Sequence, residues 1–131
     1  MIGIDTNAII DLFKNDNNIK ELLSKIDDEI IVSTYLNHFE IFIGIDQKDE
    51  EYRGEVNYYD ILFEDIKLLN LSKDSSKLAS KILWDLKKRG KIIDQKDIAI
   101  AAILLSNGVN KIITKNKKHF ENIKGLEVLS Y

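Results

Sequence analysis

Short runs of β-branched and leucine residues, each too brief to make a helix, alternate along this chain with stretches whose apolar residues recur every three or four positions. Ile2 and Ile4 around Gly3, Ile30 to Val32, Ile66 to Leu71, Ile112-Ile113 and Leu126 to Leu129 read as strands. Between them lie helical stripes. Ile9, Ile10, Leu12 and Phe13 mark one helix, and Ile19, Leu22, Leu23 and Ile26 a second. Leu36, Phe39 and Ile43 mark the next, followed by Tyr52, Val56, Tyr59 and Phe63 within Glu50 to Phe63. Leu78, Ile82 and Leu86 recur every fourth residue toward Gly90, and Ile98, Ala101, Ala102 and Leu105 run to Asn107-Gly108. Strands separated by helices predict a three-layer α/β/α fold around a central, mostly parallel sheet of about five strands. In such sheets ligands bind beyond the carboxyl ends of the strands, so functional residues are expected just after strands.

The 131 residues contain no proline and no glycine-rich linker, and a single domain over 1–131 is expected. Cysteine is absent, which excludes disulfides, zinc–thiolate sites and cysteine nucleophiles. A formal net charge of −3 argues against binding nucleic acid through the whole surface. Local basic clusters remain at Lys87, Lys88, Arg89 and Lys91, and at Lys115, Lys117, Lys118 and His119. Taken alone, each reads as a solvated helix end or loop. No basic segment followed by a long apolar run opens the sequence, and no stretch has the length of a membrane span. The expected location is the cytoplasm, with no membrane contact.

Several polar residues meet the after-strand condition. Asp5, Thr6 and Asn7 follow the first strand, Ser33 and Thr34 end the second, and Thr114, Lys115 and Asn116 follow the fourth. Glu40 falls one to two turns into the helix after the second strand, and Asp94 and Asp97 open the helix after Gly90. Asp5 or Thr6 could serve simply as a helix N-cap, and Asp94 with Asp97 has capping-box spacing. Glu40 is harder to explain structurally, because a carboxylate within Phe39-Glu40-Ile41-Phe42-Ile43 needs a partner or a metal. Carboxylates gathered on one rim repel each other unless a cation lies between them. Oxygen-only ligation suits Mg²⁺ or Mn²⁺, ions that support phosphodiester hydrolysis.

The order of these phrases resembles the PIN-domain ribonucleases of the VapC toxin type. Asp5-Thr6-Asn7 matches the family's opening Asp-Thr-Asn, and Phe39-Glu40-Ile41-Phe42-Ile43-Gly44 its second acidic phrase. Asp97-Ile98-Ala99-Ile100-Ala101-Ala102, Asn107-Gly108, Thr114-Lys115-Asn116, Phe120 and Gly125-Leu126 follow in family order. The resemblance spans the whole chain. It implies an endoribonuclease that holds Mg²⁺ or Mn²⁺ through Asp5, Glu40 and Asp97, with Asp94 as a further candidate ligand. Thr6, Asn7, Ser33 or Thr34, Thr114 and Asn116 would support the site. Lys115 or Lys118 would hold an RNA phosphate. Many relatives carry an acid where this chain has Asn116, so a second ion would be held weakly. The resemblance further implies an antitoxin of the VapB type and a homodimer.

Competing readings fare less well. His38-x-Glu40 is similar to a deaminase phrase, but the cysteines that phrase requires are absent. His38 and His119 are expected to be a packed or surface residue each, and Trp84 a core or interface residue. A phosphoacceptor receiver domain would need an Asp at the end of the third strand, where Asn70-Leu71-Ser72 stands. A housekeeping RNA-processing PIN nuclease and a non-catalytic RNA-binding module remain as alternatives.

Overall fold

The computed structural model describes all residues, 1–131. Five parallel strands form one sheet in the order β3-β2-β1-β4-β5. They are β1 (Ile2–Ile4), β2 (Ile31–Thr34), β3 (Lys67–Leu69), β4 (Lys111–Ile113) and β5 (Glu127–Leu129). The helices are α1 (Thr6–Phe13), α2 (Asn17–Lys25), α3 (Tyr35–Ile43), α4 (Tyr52–Asp65), α5 (Lys73–Lys88), α6 (Gln95–Ser106) and the short α7 (Lys117–Phe120). The three-layer architecture expected from the sequence is therefore present. β1 lies at the centre, and the chain winds outward through β2 and β3 before returning to β1's other side with β4. That reversal opens a crevice beyond the carboxyl ends of β1 and β4.

Alternation along the strands divides the core in two. Ile2, Ile4 and Ile113 face one cluster with Ala8, Ile9, Ile19, Ile41 and Tyr59. Val32, Leu69 and Ile112 face the other, with Ile82, Leu86 and six consecutive-turn residues of α6 from Ile98 to Leu104. α6 is apolar almost all round because it is covered on one side by the sheet and on the other by α5. Asp97 at its first turn is the buried exception.

Gly3 is set by this packing. An added Cβ would lie 2.6 Å from Leu104 Cδ1 and 2.9 Å from Cδ2, so α6 sits directly on the bare backbone of β1. This contact fixes the depth at which α6, and Asp97 with it, meets the sheet. Trp84 is not a core residue: its ring is exposed on α5, with the Lys87 ammonium 4.6 Å from the ring centroid. His38 is packed among the rings of Phe42 and Phe63, with centroids 4.5 and 4.8 Å away, in keeping with its expected packing role. No helix is long and apolar enough to cross a membrane.

Gly3→Ala is expected to lower stability by about 1–3 kcal/mol through overpacking. In a Leu104→Ala background the same change should be much less damaging. Urea unfolding of the four proteins checks this, and equal penalties in both backgrounds would separate Gly3 from Leu104.

Candidate active site

At the carboxyl edge of β1, Asp5 occupies the N-cap position of α1 but makes no side-chain cap bond. Its carboxylate, 5% exposed, is turned across the sheet edge instead. Oδ1 accepts from Asn37 Nδ2 at 3.1 Å, while Oδ2 accepts from Thr114 Oγ1 at 2.8 Å and Asn7 Nδ2 at 3.1 Å. Three segments thus supply donors to one carboxylate. The helix-cap explanation of Asp5 fails on this geometry. Burial raises the Asp5 carboxyl above its ordinary range; the Thr114 and Asn37 hydrogen bonds oppose that shift, and the charge of Glu40 adds to it.

Glu40 reaches the same crevice from the second turn of α3. Thr6 Oγ1 donates to its Oε1 at 2.9 Å, and Lys96 Nζ lies 2.7 Å from Oε2. Asp97, on the first turn of α6, has Oδ2 2.9 Å from His119 Nδ1. Burial also raises the Asp97 carboxyl, the negative charge of Asp5 raises it further, and His119 opposes both. For two acids shifted in this direction, folding favours the protonated form. Their contribution to stability is present below the ordinary carboxylate range and is lost as pH rises through the raised values. In their ionised forms the two carboxylates repel each other, a cost that a cation between them would relieve.

These residues line one cavity of about 240 Å³, together with Asn7, Ile10, Asp94 and Asn116. Asp94 caps α6, accepting from Lys96 N at 2.8 Å, but the reciprocal half of a capping box is missing because Asp97 is turned to His119. Asn116 makes no side-chain cap bond to α7 and faces the cavity, with its backbone N–H on Thr114 Oγ1 at 3.1 Å.

The supporting role expected of Ser33 and the phosphate contact expected of Lys115 do not match the side-chain geometry. Ser33 donates to Ile4 O at 2.9 Å, tying β2 to β1, and does not reach the acids. Lys115 Nζ is 2.9 Å from Asp11 Oδ2, an oxygen that also accepts from Tyr131 Oη at 2.7 Å, so this ammonium is tied into the fold. Asn37, Lys96 and His119 were missed by sequence reasoning. Asn37 lies one turn before Glu40, on the same face of α3, and that spacing was the available signal. Thr34 Oγ1 donates to Asn37 Oδ1 at 2.7 Å, which leaves Asn37's amide nitrogen to donate to Asp5 and to Thr6 Oγ1 at 3.0 Å.

A PIN-domain model matches residues 2–126. Ribonuclease VapC1 of Methanocaldococcus jannaschii is 33% identical over 129 residues, covering 97% of this chain and 85% of that protein. The chain belongs to the PIN-domain family and, within it, to the VapC ribonucleases. Ribonuclease VapC3 of the same organism is 35% identical over 100 residues, covering 76% of this chain and 94% of that protein. Among solved structures, VapBC-1 from nontypeable Haemophilus influenzae matches with a TM-score of 0.83 and 27% identity, covering 99% of this chain and 98% of that one. VapBC2 from Rickettsia felis, bound to a promoter DNA fragment, has the same fold at a TM-score of 0.84 and 19% identity over 100% and 99% of the two chains.

In this PIN domain the donor set suits a hard divalent ion, being carboxylate oxygen from Asp5, Glu40, Asp94 and Asp97. As the side chains stand, no three acidic or imidazole groups gather around one point. Glu40 is directed at Lys96, which supplies counter-charge within the chain, and Asp97 is directed at His119. An ion at Glu40 would compete with the Lys96 ammonium. Lys96→Gln is therefore expected to tighten Mn²⁺ binding roughly three- to tenfold, the scale of a partly exposed ion pair worth about 1 kcal/mol. Calorimetric titration of the two proteins measures it. Equal or weaker binding by the variant would show that Lys96 does not compete.

Proposed function

We propose that this VapC ribonuclease is the toxin of a toxin–antitoxin pair, acting in the cytoplasm as a single PIN domain that cuts RNA internally with Mg²⁺ or Mn²⁺ held by Asp5, Glu40 and Asp97. The observation that carries the reading is the cavity itself. Four carboxylates from three separate parts of the chain line it, two of them buried, with their carboxyls raised by burial and by neighbouring charge. A fold that merely needed helix caps would not direct Asp5 and Asp97 inward.

The divalent ion supplies the charge that activates water and stabilises the departing oxygen. The chain's residues do the rest. Asn37, Asn7 and Thr114 fix both oxygens of Asp5, and Thr6 fixes one oxygen of Glu40, so the acids are oriented before substrate arrives. Asp94 adds charge at the mouth, and Asn116 presents an amide to the same space. Lys118, exposed on the adjoining helix α7, would meet an RNA phosphate.

The proposed partners are an antitoxin of the VapB type and a second copy of this chain. VapBC complexes among the structural neighbours support the first. The exposed side chains of Tyr35, Phe39 and Ile43, spaced four apart along α3 beside Glu40, offer an apolar surface for such partners.

Asp97→Asn should reduce Mg²⁺- or Mn²⁺-dependent cleavage of single-stranded RNA by on the order of a hundredfold or more while the fold is retained. Mg²⁺ should raise the melting temperature of the wild type and not that of the variant combining Asp5→Asn, Glu40→Gln and Asp97→Asn. Full activity in soluble Asp97→Asn, or equal thermal shifts, would refute the assignment.

Asn116→Asp should strengthen divalent-ion binding and move the metal optimum for cleavage to lower concentration, while the rate at saturating metal falls through repulsion of the RNA phosphate. Metal titrations of binding and activity test this. Superimposable curves for the two proteins would place Asn116 outside the site.

A further inference from the structure

We propose that the short helix α7, through Lys117 and Lys118, forms a second subsite of this ribonuclease, binding backbone phosphates of single-stranded RNA beside the bond that is cut. The proposal rests on the ribonuclease reading above and adds the direction in which the strand leaves the acidic cavity. A depression of about 420 Å³ is lined by Lys115, Asn116, Lys117, Lys118, His119 and Glu121. Asn116 and His119 also line the acidic cavity, so the two spaces share a wall. None of the six is a hydrophobic residue. With Lys115 held by Asp11, two free lysines against one glutamate still favour an anion.

Lys115 is committed to Asp11. Lys117 and Lys118 are exposed, and neither ammonium is within ion-pair distance of a carboxylate, in a chain whose 22 acids outnumber its 19 bases. Cations left free in an acidic protein, next to a site for a phosphodiester, have the neighbouring phosphates of the same strand as their nearest chemical match.

The segment from Lys115 through α7 is also held firmly enough to present them. Asn7 Oδ1 accepts from Lys115 N at 3.0 Å, and Thr114 Oγ1 accepts from Asn116 N at 3.1 Å. On the far side, Phe120 is completely buried and anchors α7. Both lysines therefore project from a segment pinned at each end, and less entropy is lost when they engage a strand than in a free tail.

The test is fluorescence anisotropy of a labelled single-stranded RNA oligonucleotide, in EDTA so that nothing is cut, over about 50 to 200 mM salt. The double variant Lys117→Gln/Lys118→Gln is compared with the wild type. The control is Lys67→Gln/Lys111→Gln, which removes the same charge from the first residues of β3 and β4, at the opposite edge of the sheet. Loss of two phosphate contacts should make the plot of log affinity against log salt shallower by about 1.4, at about 0.7 for each contact on a single strand. The control should leave the slope within about 0.3 of wild type, well below the change for one contact. Melting temperatures should match throughout. A wild-type slope in the Lys117/Lys118 variant would overturn the proposal and leave the lysines to an acidic protein partner. An equal loss in the control would overturn it in favour of overall charge, and so would a wild type that binds no RNA. The ribonuclease reading fails separately, if the wild type cuts no RNA when Mg²⁺ or Mn²⁺ is added.

Discussion

The buried carboxylate of Asp5 is the constraint around which the working edge of this protein is organised. A carboxylate taken out of water needs hydrogen-bond donors, and unpaired it would be heavily penalised. Its three donors come from the start of α1, from α3 and from the end of β4. Satisfying one side chain therefore fixes the relative positions of three segments. The network extends outward from there. Asn37 is oriented by Thr34, Thr6 links Asn37 to Glu40, and Thr114 also receives Asn7 and the backbone of Asn116. No buried side-chain polar atom in the molecule lacks a partner.

Sheet topology explains why these groups meet. β1 is central, the first half of the chain winds to one side of it, and β4 returns on the other. Asp5 and Thr114 end adjacent parallel strands at that reversal. Asp97 arrives through a different contact, the seating of Leu104 on Gly3, which brings α6 close to the sheet. A residue without a side chain in β1 and an acid seven residues before Leu104, two turns back on the same face of α6, are thereby parts of one arrangement.

Charge is balanced locally. The acidic crevice is answered by the Lys96 ammonium on its rim, and a basic depression begins where the crevice ends. A ribonuclease with a net charge of −3 needs such separation, because the groups that suit a metal repel the substrate. Keeping the two fields on either side of Asn116 and His119 lets one surface serve both needs.

Local pattern settled much of this protein. The short apolar runs and period-3.6 stretches specified five strands and six helices to within a few residues, though not the short α7, and their alternation specified a mostly parallel three-layer fold. The after-strand rule selected Asp5 and Thr114, and the apolar surroundings of Glu40 marked it as needing a partner. All of these follow from interactions between residues close in sequence, or from rules of connection that hold for any such chain. Partner identity was decided by tertiary structure alone. Nothing near Asp5 in sequence announces Asn37, 32 positions away, or Thr114, 109 away. Lys96 carried no signal, His119 looked like a packed or surface residue, and Ser33 and Lys115 looked like members of the site, because residues were judged by the strand or helix they followed. Which of them turns into the crevice depends on competing acceptors, Ile4 O for Ser33 and Asp11 for Lys115, brought within reach only when the sheet and helices pack.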